Sequence, residues 1–202
     1  MKTIAIVHFS GSGHTRLLAE AVGRGAVSVP GIQVLAHAIS GGEIQDGRFQ
    51  NAALFAALDS ADAIIFGTPT YMGGVAAQFK AFADATGGIW YRRGWKDKVA
   101  AGFTHSGSPS GDKLATLQYL SLFAAQHGML WLGNTEAAAA QVDDPVGLNR
   151  TGAYLGVAGF GGEAPGQSLH VHAGDLHTAA ALGRRVADVV GRFETTVQLA
   201  AA

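Results

Sequence analysis

The 202-residue chain has no cysteine. Disulfides, thiolate nucleophiles and cysteine-ligated metal or iron–sulfur centres are therefore excluded. Charge is also scarce. Asp, Glu, Lys and Arg together make up 14% of the residues, and a chain with so little charge is expected to hide part of its surface in subunit contacts. The charges present nearly cancel, leaving a net charge of -1, and they form neither an acidic nor a basic block. That argues against electrostatic binding of nucleic acid and against a small electron carrier that docks through an acidic face. Long hydrophobic runs are missing too. The apolar stretch near the start is too short to span a bilayer and lacks the basic region and cleavage site of a secretory signal, so no membrane insertion and a cytoplasmic location are expected. Asn149-Arg150-Thr151 matches a glycosylation sequon, which carries no weight without secretion.

What the chain does have begins at its third residue. Thr3 to Phe9 is apolar and rich in β-branched residues, the pattern of a buried parallel strand. Ser10-Gly11-Ser12-Gly13-His14-Thr15 follows, and a helical pattern opens with Leu17, Leu18, Ala21 and Val22. A strand that runs through small residues into a helix start makes an anion site, because loop amides and the helix dipole converge there. A triphosphate loop needs a lysine before its final Ser/Thr, and this loop has none. A dinucleotide loop needs a third glycine where this chain has Arg16. Hydroxyls at Ser10, Ser12 and Thr15 suit one terminal phosphate, as in FMN.

Strand and helix patterns alternate along the rest of the chain. Strands are expected at 32–36, 62–67, 98–104 and 129–132. Helices are expected at 15–24, 51–58, 75–85, 113–126 and 175–192. Five strands with intervening helices imply an α/β fold with a doubly wound parallel sheet, whose ligands bind beyond the strand carboxyl ends. Three Gly/Ser/Thr/Pro loops leave such ends: 10–15, 68–74 and 104–111. Two segments exceed a minimal five-strand domain. Residues 87–97 are aromatic and basic, and 133–173 read as a long irregular insertion. Segments of this length are functional or covered by another subunit. The whole of 1–202 is expected to form one domain carrying these insertions.

Ser10-Gly-Ser-Gly-His-Thr15, Gly67-Thr-Pro-Thr-Tyr-Met-Gly73, Phe82-Ala-Asp-Ala-Thr-Gly-Gly-Ile-Trp90, Ser106-Gly-Ser-Pro-Ser-Gly111 and His127-Gly-Met129 occur in that order. With them the chain, over residues 1–191, resembles the WrbA-type NAD(P)H:quinone oxidoreductases, flavodoxin-fold proteins that use FMN. The resemblance implies a flavodoxin-like five-stranded sheet of order 2-1-3-4-5 with helices on both faces. It implies FMN as cofactor and NADH or NADPH as co-substrate, with a quinone reduced to the quinol. It also implies a homotetramer, or a dimer, whose sites draw residues from a neighbouring subunit. Ser10, Gly11, Ser12, Gly13, His14 and Thr15 would hold the FMN phosphate. Thr68, Pro69, Thr70, Tyr71, Met72 and Gly73 would line the isoalloxazine. Thr104, His105, Ser106, Gly107, Ser108 and Gly111 would border its other edge. His127 and Trp90 would flank the open face as catalytic residues, with His127 donating to a quinone oxygen. Departures from the family pattern are Tyr71, where an arginine is common, Pro109 in a loop elsewhere richer in glycine, and individual sequence around 90–93 and in the 160s.

Several residues admit a plainer role. His127 can cap a helix end, Trp90 can pack an interface, and Asp84 can orient the Gly-Gly turn after it. Arg92 and Arg93 can clamp a dinucleotide phosphate or be a solvated pair. His170, His172 and His177 have metal-ligand chemistry but no carboxylate at motif spacing, so no metal is expected. His8 reads as a core histidine. No Ser/His/Asp arrangement is legible. The same scaffold also suits an electron carrier, a reductase of nitro or azo compounds or of free flavin, or an interaction protein that has lost its flavin.

Overall fold

The computed structural model describes residues 1–162 and 169–193. The apolar run at the start forms β1 (Lys2–His8), which passes through the glycine-serine loop into α1 (His14–Val27) and then β2 (Ile32–Ala38). A short hairpin of β3 (Ile44–Gln45) and β4 (Arg48–Phe49) precedes α2 (Ala52–Ser60). Asn51 caps α2, its side-chain oxygen accepting from the Leu54 amide at 2.8 Å. β5 (Ala63–Tyr71) turns back on β6 (Gly74–Val75), and α3 (Ala77–Ala85) and the short α4 (Gly87–Tyr91) follow. Then come β7 (Val99–Ser106), α5 (Lys113–Gln126), β8 (Leu130–Trp131), the one-turn α6 (Ala139–Val142), β9 (Val157–Phe160) and α7 (Ala173–Arg192).

The main sheet runs β2-β1-β5-β7-β8 with β9 also on β7, and all of these pairings are parallel. This is the expected 2-1-3-4-5 order, with one difference in its last strand. That strand is split: β8 pairs with Val99 and Ala100 at the start of β7, and β9 pairs with Phe103 to Ser106 at its end. The chain between them leaves the sheet and returns. The insertion expected at 133–173 is therefore not irregular throughout. It holds α6, the upper half of the fifth strand and the start of α7. Val-Ala-Gly-Phe is too short and too small in side chain to signal a strand by itself; pairing with β7 makes it one. The 68–74 loop differs likewise, since β5 continues to Tyr71 and makes a hairpin with β6.

Alternation along the strands feeds two cores. Ala5, Val7, Ile64, Phe66 and Ala100 pack with α2, α3 and α5. Ile4, Ile6, Ile65, Ala101 and Phe103 pack with α1 and α7 on the other face. The second layer is thin because two glycines let its helices touch. A Cβ at Gly25 would overlap the Ala180 carbonyl, and one at Gly183 would overlap that of Val22.

Candidate functional site

All three expected loops leave the carboxyl edge of the sheet, from β1, β5 and β7. In the first, Ser10 Oγ accepts from the amides of Gly13 and Arg16, each at 3.1 Å. The amides of Gly11, Ser12 and Thr15 then have no acceptor among the described residues. Gly13 sits at φ 102°, which a side chain would strain, and as the residue before α1 it brings no side-chain cap of its own. The result is a set of uncommitted amides at a helix start, the donor set a phosphate takes. Ser12 Oγ holds His14 Nδ1 at 2.9 Å.

The loops also touch one another. The Tyr71 hydroxyl lies over Gly11, where only a hydrogen leaves it room. The buried rings of His14 and His105 stack with centroids 4.6 Å apart and planes 10° from parallel. Burial, with His14 adding to it, pulls the His105 pKa down to about 4. The hydroxyls of Thr68, Thr70 and Thr104 are buried and spent on the scaffold. Thr70 Oγ1 meets Thr104 Oγ1 at 2.9 Å and Thr116 Oγ1 at 2.8 Å, and Thr68 Oγ1 accepts from the Ala76 amide at 3.1 Å. In the second loop Pro69 is buried, whereas Tyr71 and Met72 stand out at the hairpin tip, with Met72 and Gly73 both at positive φ.

The third loop, Ser106 to Gly111, is held from below. Lys113 Nζ donates to Ser106 Oγ at 2.9 Å, to Ser108 O at 2.6 Å and to Pro109 O at 2.9 Å. Gly107 is open, and Gly111 closes the loop at φ 52°. Beside it Arg150 makes a two-pronged ion pair with Asp175, both contacts at 2.7 Å, and its Nη2 donates to Phe160 O at 2.6 Å. Two cations lie over the Phe160 ring, Arg150 at 3.6 Å and Lys113 at 5.6 Å from its centroid.

Trp90 and His127 lie elsewhere. α5 returns from the third loop to the opposite edge, so His127 sits where Gly128 O accepts from Asp97 N just ahead of β7. The 14 residues of α5 separate it from the loops by roughly 20 Å. There Trp90 and His127 share a small pocket with Ala83, Asp84, Gly87 and Gln126. Thr86 Oγ1 donates to Ala83 O at 2.7 Å, so it accepts from His127 Nε2 at 2.9 Å. That fixes the Nε2–H tautomer. His127 Nδ1 is shielded and has no partner among the described residues, and burial pulls the ring's pKa down to about 4. In this conformation neither nitrogen can donate to a quinone.

Asp84 and Arg92 are engaged in ion pairs, and among the described residues no side-chain hydrogen bond runs from Asp84 to the Gly87-Gly88 turn. Asp84 pairs with Lys80 at 2.5 Å, and Arg92 pairs with Asp59. His172 caps α7, its Nδ1 accepting from Gly174 N at 3.1 Å. Asn149 is buried and spends its side chain on Glu136 O and the Ala153 amide. In the segment from 160 to 173, residues 163–168 lie outside the described residues. Lys113, Arg150, Phe160 and Asp175 belong to no motif that marks them in the sequence. One local signal was present for Lys113: a lysine on the first turn of a helix opposes the helix dipole.

A glycine-serine loop with free amides at the carboxyl edge of a parallel 2-1-3-4-5 sheet is the architecture of the flavodoxin-like flavoproteins. Residues 4–144 match the model of the family described as NADPH-dependent FMN reductase. Flavodoxin FldP of Pseudomonas aeruginosa is 38% identical over 94% of this chain and 97% of its own length. An NAD(P)H dehydrogenase (quinone) of Geobacter sulfurreducens is 32% identical over 94% and 98%. The crystal structure of a flavodoxin, WrbA-like protein from Agrobacterium tumefaciens superimposes with a TM-score of 0.70 at 41% identity, covering 95% of this chain and 99% of that one. The chain belongs to the NADPH-dependent FMN reductase family. It is an oxidoreductase flavoprotein with FMN as cofactor and NAD(P)H as electron donor. The uncommitted amides around Gly13 fit the FMN phosphate, so Ser10→Ala, which releases two loop amides, is expected to weaken FMN binding about tenfold, or about 1.4 kcal/mol. Flavin fluorescence quenching measures the change.

Proposed function

We propose that the chain, working as one flavodoxin-like domain, reduces quinones to quinols with NADH or NADPH. Bound FMN would supply hydride acceptance and two-electron delivery. The amides of Gly11, Ser12 and Thr15 would take the phosphate, in a loop that Ser10, Gly13 and His14 shape. The backbones of 68–73 and 104–108, with Gly111, border the ring. The observation that carries this reading is the joining of the three loops at one sheet edge, through Tyr71 over Gly11 and His14 on His105.

A wall over the ring's open face requires a second copy, because Trp90 and His127 of the same chain are one helix length away. Half-exposed Trp90, exposed Tyr91 and exposed Leu122 support burial of this face in a homotetramer or dimer. The neutral His127 ring then shapes the stacking slot through its Thr86 and Trp95 contacts. His127→Ala is expected to slow quinone reduction about tenfold while FMN affinity holds. A parental rate would remove His127 from the site. Nicotinamide and quinone stacking in turn on one face gives ping-pong kinetics. The cytoplasm, where NAD(P)H is at hand, is the compartment this reading requires.

The likeness to flavodoxin FldP favours a second reading, an electron carrier. Anaerobic addition of NADPH or NADH to the FMN-loaded protein separates the two. Rapid bleaching of the flavin, reversed by a simple benzoquinone, is the expected result. A flavin that stays yellow would mean a carrier.

A further inference from the structure

Among the described residues Lys113 is the only lysine or arginine that is buried, at 3% exposure. Its three acceptors are uncharged, one hydroxyl and two carbonyls of the third loop. It forms no ion pair with a described residue, since the adjacent Asp175 is committed to Arg150. Burial, reinforced by Arg150 and opposed by Asp175 and Asp112, lowers its pKa to about 8, so it is largely charged at neutral pH. An unpaired buried ammonium costs stability that an apolar side chain of like length would not. The fold gains a fixed loop from it, but two carbonyls and a hydroxyl could be served by a neutral donor. Among the described residues no carboxylate contacts the ammonium, and the nearby Asp175 is already paired with Arg150.

We propose that Lys113 is a positioning residue for the flavin ring, holding the third loop in shape and supplying a fixed positive charge that favours the reduced flavin. The inference rests on the reading that this loop borders the ring. Reduction adds negative charge to a flavin at neutral pH, and a buried cation nearby lowers the free energy of that state, strongly so where water is excluded. Lys113 approaches from beneath the loop and so acts through its backbone without occupying the face on which substrates stack.

The test compares Lys113→Gln, Lys113→Arg and the parent, each loaded with FMN. Glutamine keeps amide donors for the loop carbonyls and removes the charge. Arginine keeps the charge. FMN affinity and the two-electron midpoint potential are measured for each. Expected for Lys113→Gln is an FMN Kd within about threefold of the parent, with the ratio of reduced to oxidised flavin at fixed potential down about tenfold, or about 30 mV. Lys113→Arg is expected to keep the parental potential. Lys113→Met, which fills the space without donors, should show the same potential shift and weaker FMN binding. It serves as the uncharged variant should the glutamine protein not fold. Tight FMN binding with an unchanged potential in the uncharged variant overturns this inference alone. A parent protein that binds no FMN overturns both the inference and the reading beneath it.

Discussion

Between pH 6.5 and pH 4 the protein without flavin is expected to lose stability steeply, because three buried histidines resist the protons that the unfolded chain takes up. His8, His105 and His127 are each 5% exposed or less. Burial is the first cause of a pKa near 4 in all three, against 6.5 when unfolded. His37 and Arg16 add to the effect at His8 while Glu20 opposes it. His14, Lys113 and Arg150 add to it at His105 while Asp175 opposes it. Above pH 6.5 both states are neutral at these positions and stability does not depend on them. Below it the unfolded chain binds up to three protons that the folded one refuses, a limiting slope of about 4 kcal/mol per pH unit. By pH 5, after discounting for water near the ring edges, the loss is about 4 kcal/mol, a large part of the 5–15 kcal/mol of an ordinary domain. Urea unfolding midpoints at pH 7.5, 6 and 5 measure it. His8→Leu should flatten the profile by about one proton. Equal midpoints at pH 7.5 and 5 would contradict the account.

Asp175→Ala is expected to cost about 3–5 kcal/mol, since it leaves the Arg150 guanidinium, whose side chain is 19% exposed, with no ion-pair partner among the described residues. Asp175 is 3% exposed and its carboxylate also accepts from the Phe160 amide at 3.2 Å. The substitution therefore loosens α7, the insertion and β9 together. In a chain of this size the loss corresponds to a fall in Tm of about 10 °C. The double replacement of Arg150 by Met and Asp175 by Leu should lose clearly less, because it removes both charges and refills the volume. Thermal unfolding followed by circular dichroism compares the three proteins. A loss under about 1 kcal/mol in Asp175→Ala would mean that the pair contributes no more than a surface salt bridge.

The parts of the fold that the sequence displays are those whose signal is local. The apolar run of β1, the glycine-serine loop after it and the periodicity of α5 and α7 each lie within one short window. The glycine-serine loop is legible because its residues are consecutive. β9 is not legible, because four residues containing an alanine and a glycine become a strand only against Phe103 to Ser106. The ion pair beside the third loop is hidden for a related reason. Arg150 and Asp175 are 25 residues apart, and nothing near either one announces the other. Thr68, Thr70 and Thr104 carry the right composition for a flavin loop, yet their hydroxyls face one another and the scaffold. Motif membership located the segment and left side-chain direction open. The separation of His127 from the loops follows from α5 running back along the sheet, which the order of motifs in the chain does not reveal.

The site stands or falls with the phosphate cradle around Gly13. The most direct test is to titrate the apoprotein with FMN and, in parallel, with riboflavin, which has the same ring and lacks the phosphate, following quenching of flavin fluorescence. The account predicts tight FMN binding, with riboflavin weaker by about a hundredfold or more. Equal affinity for the two, or none for either, would contradict it.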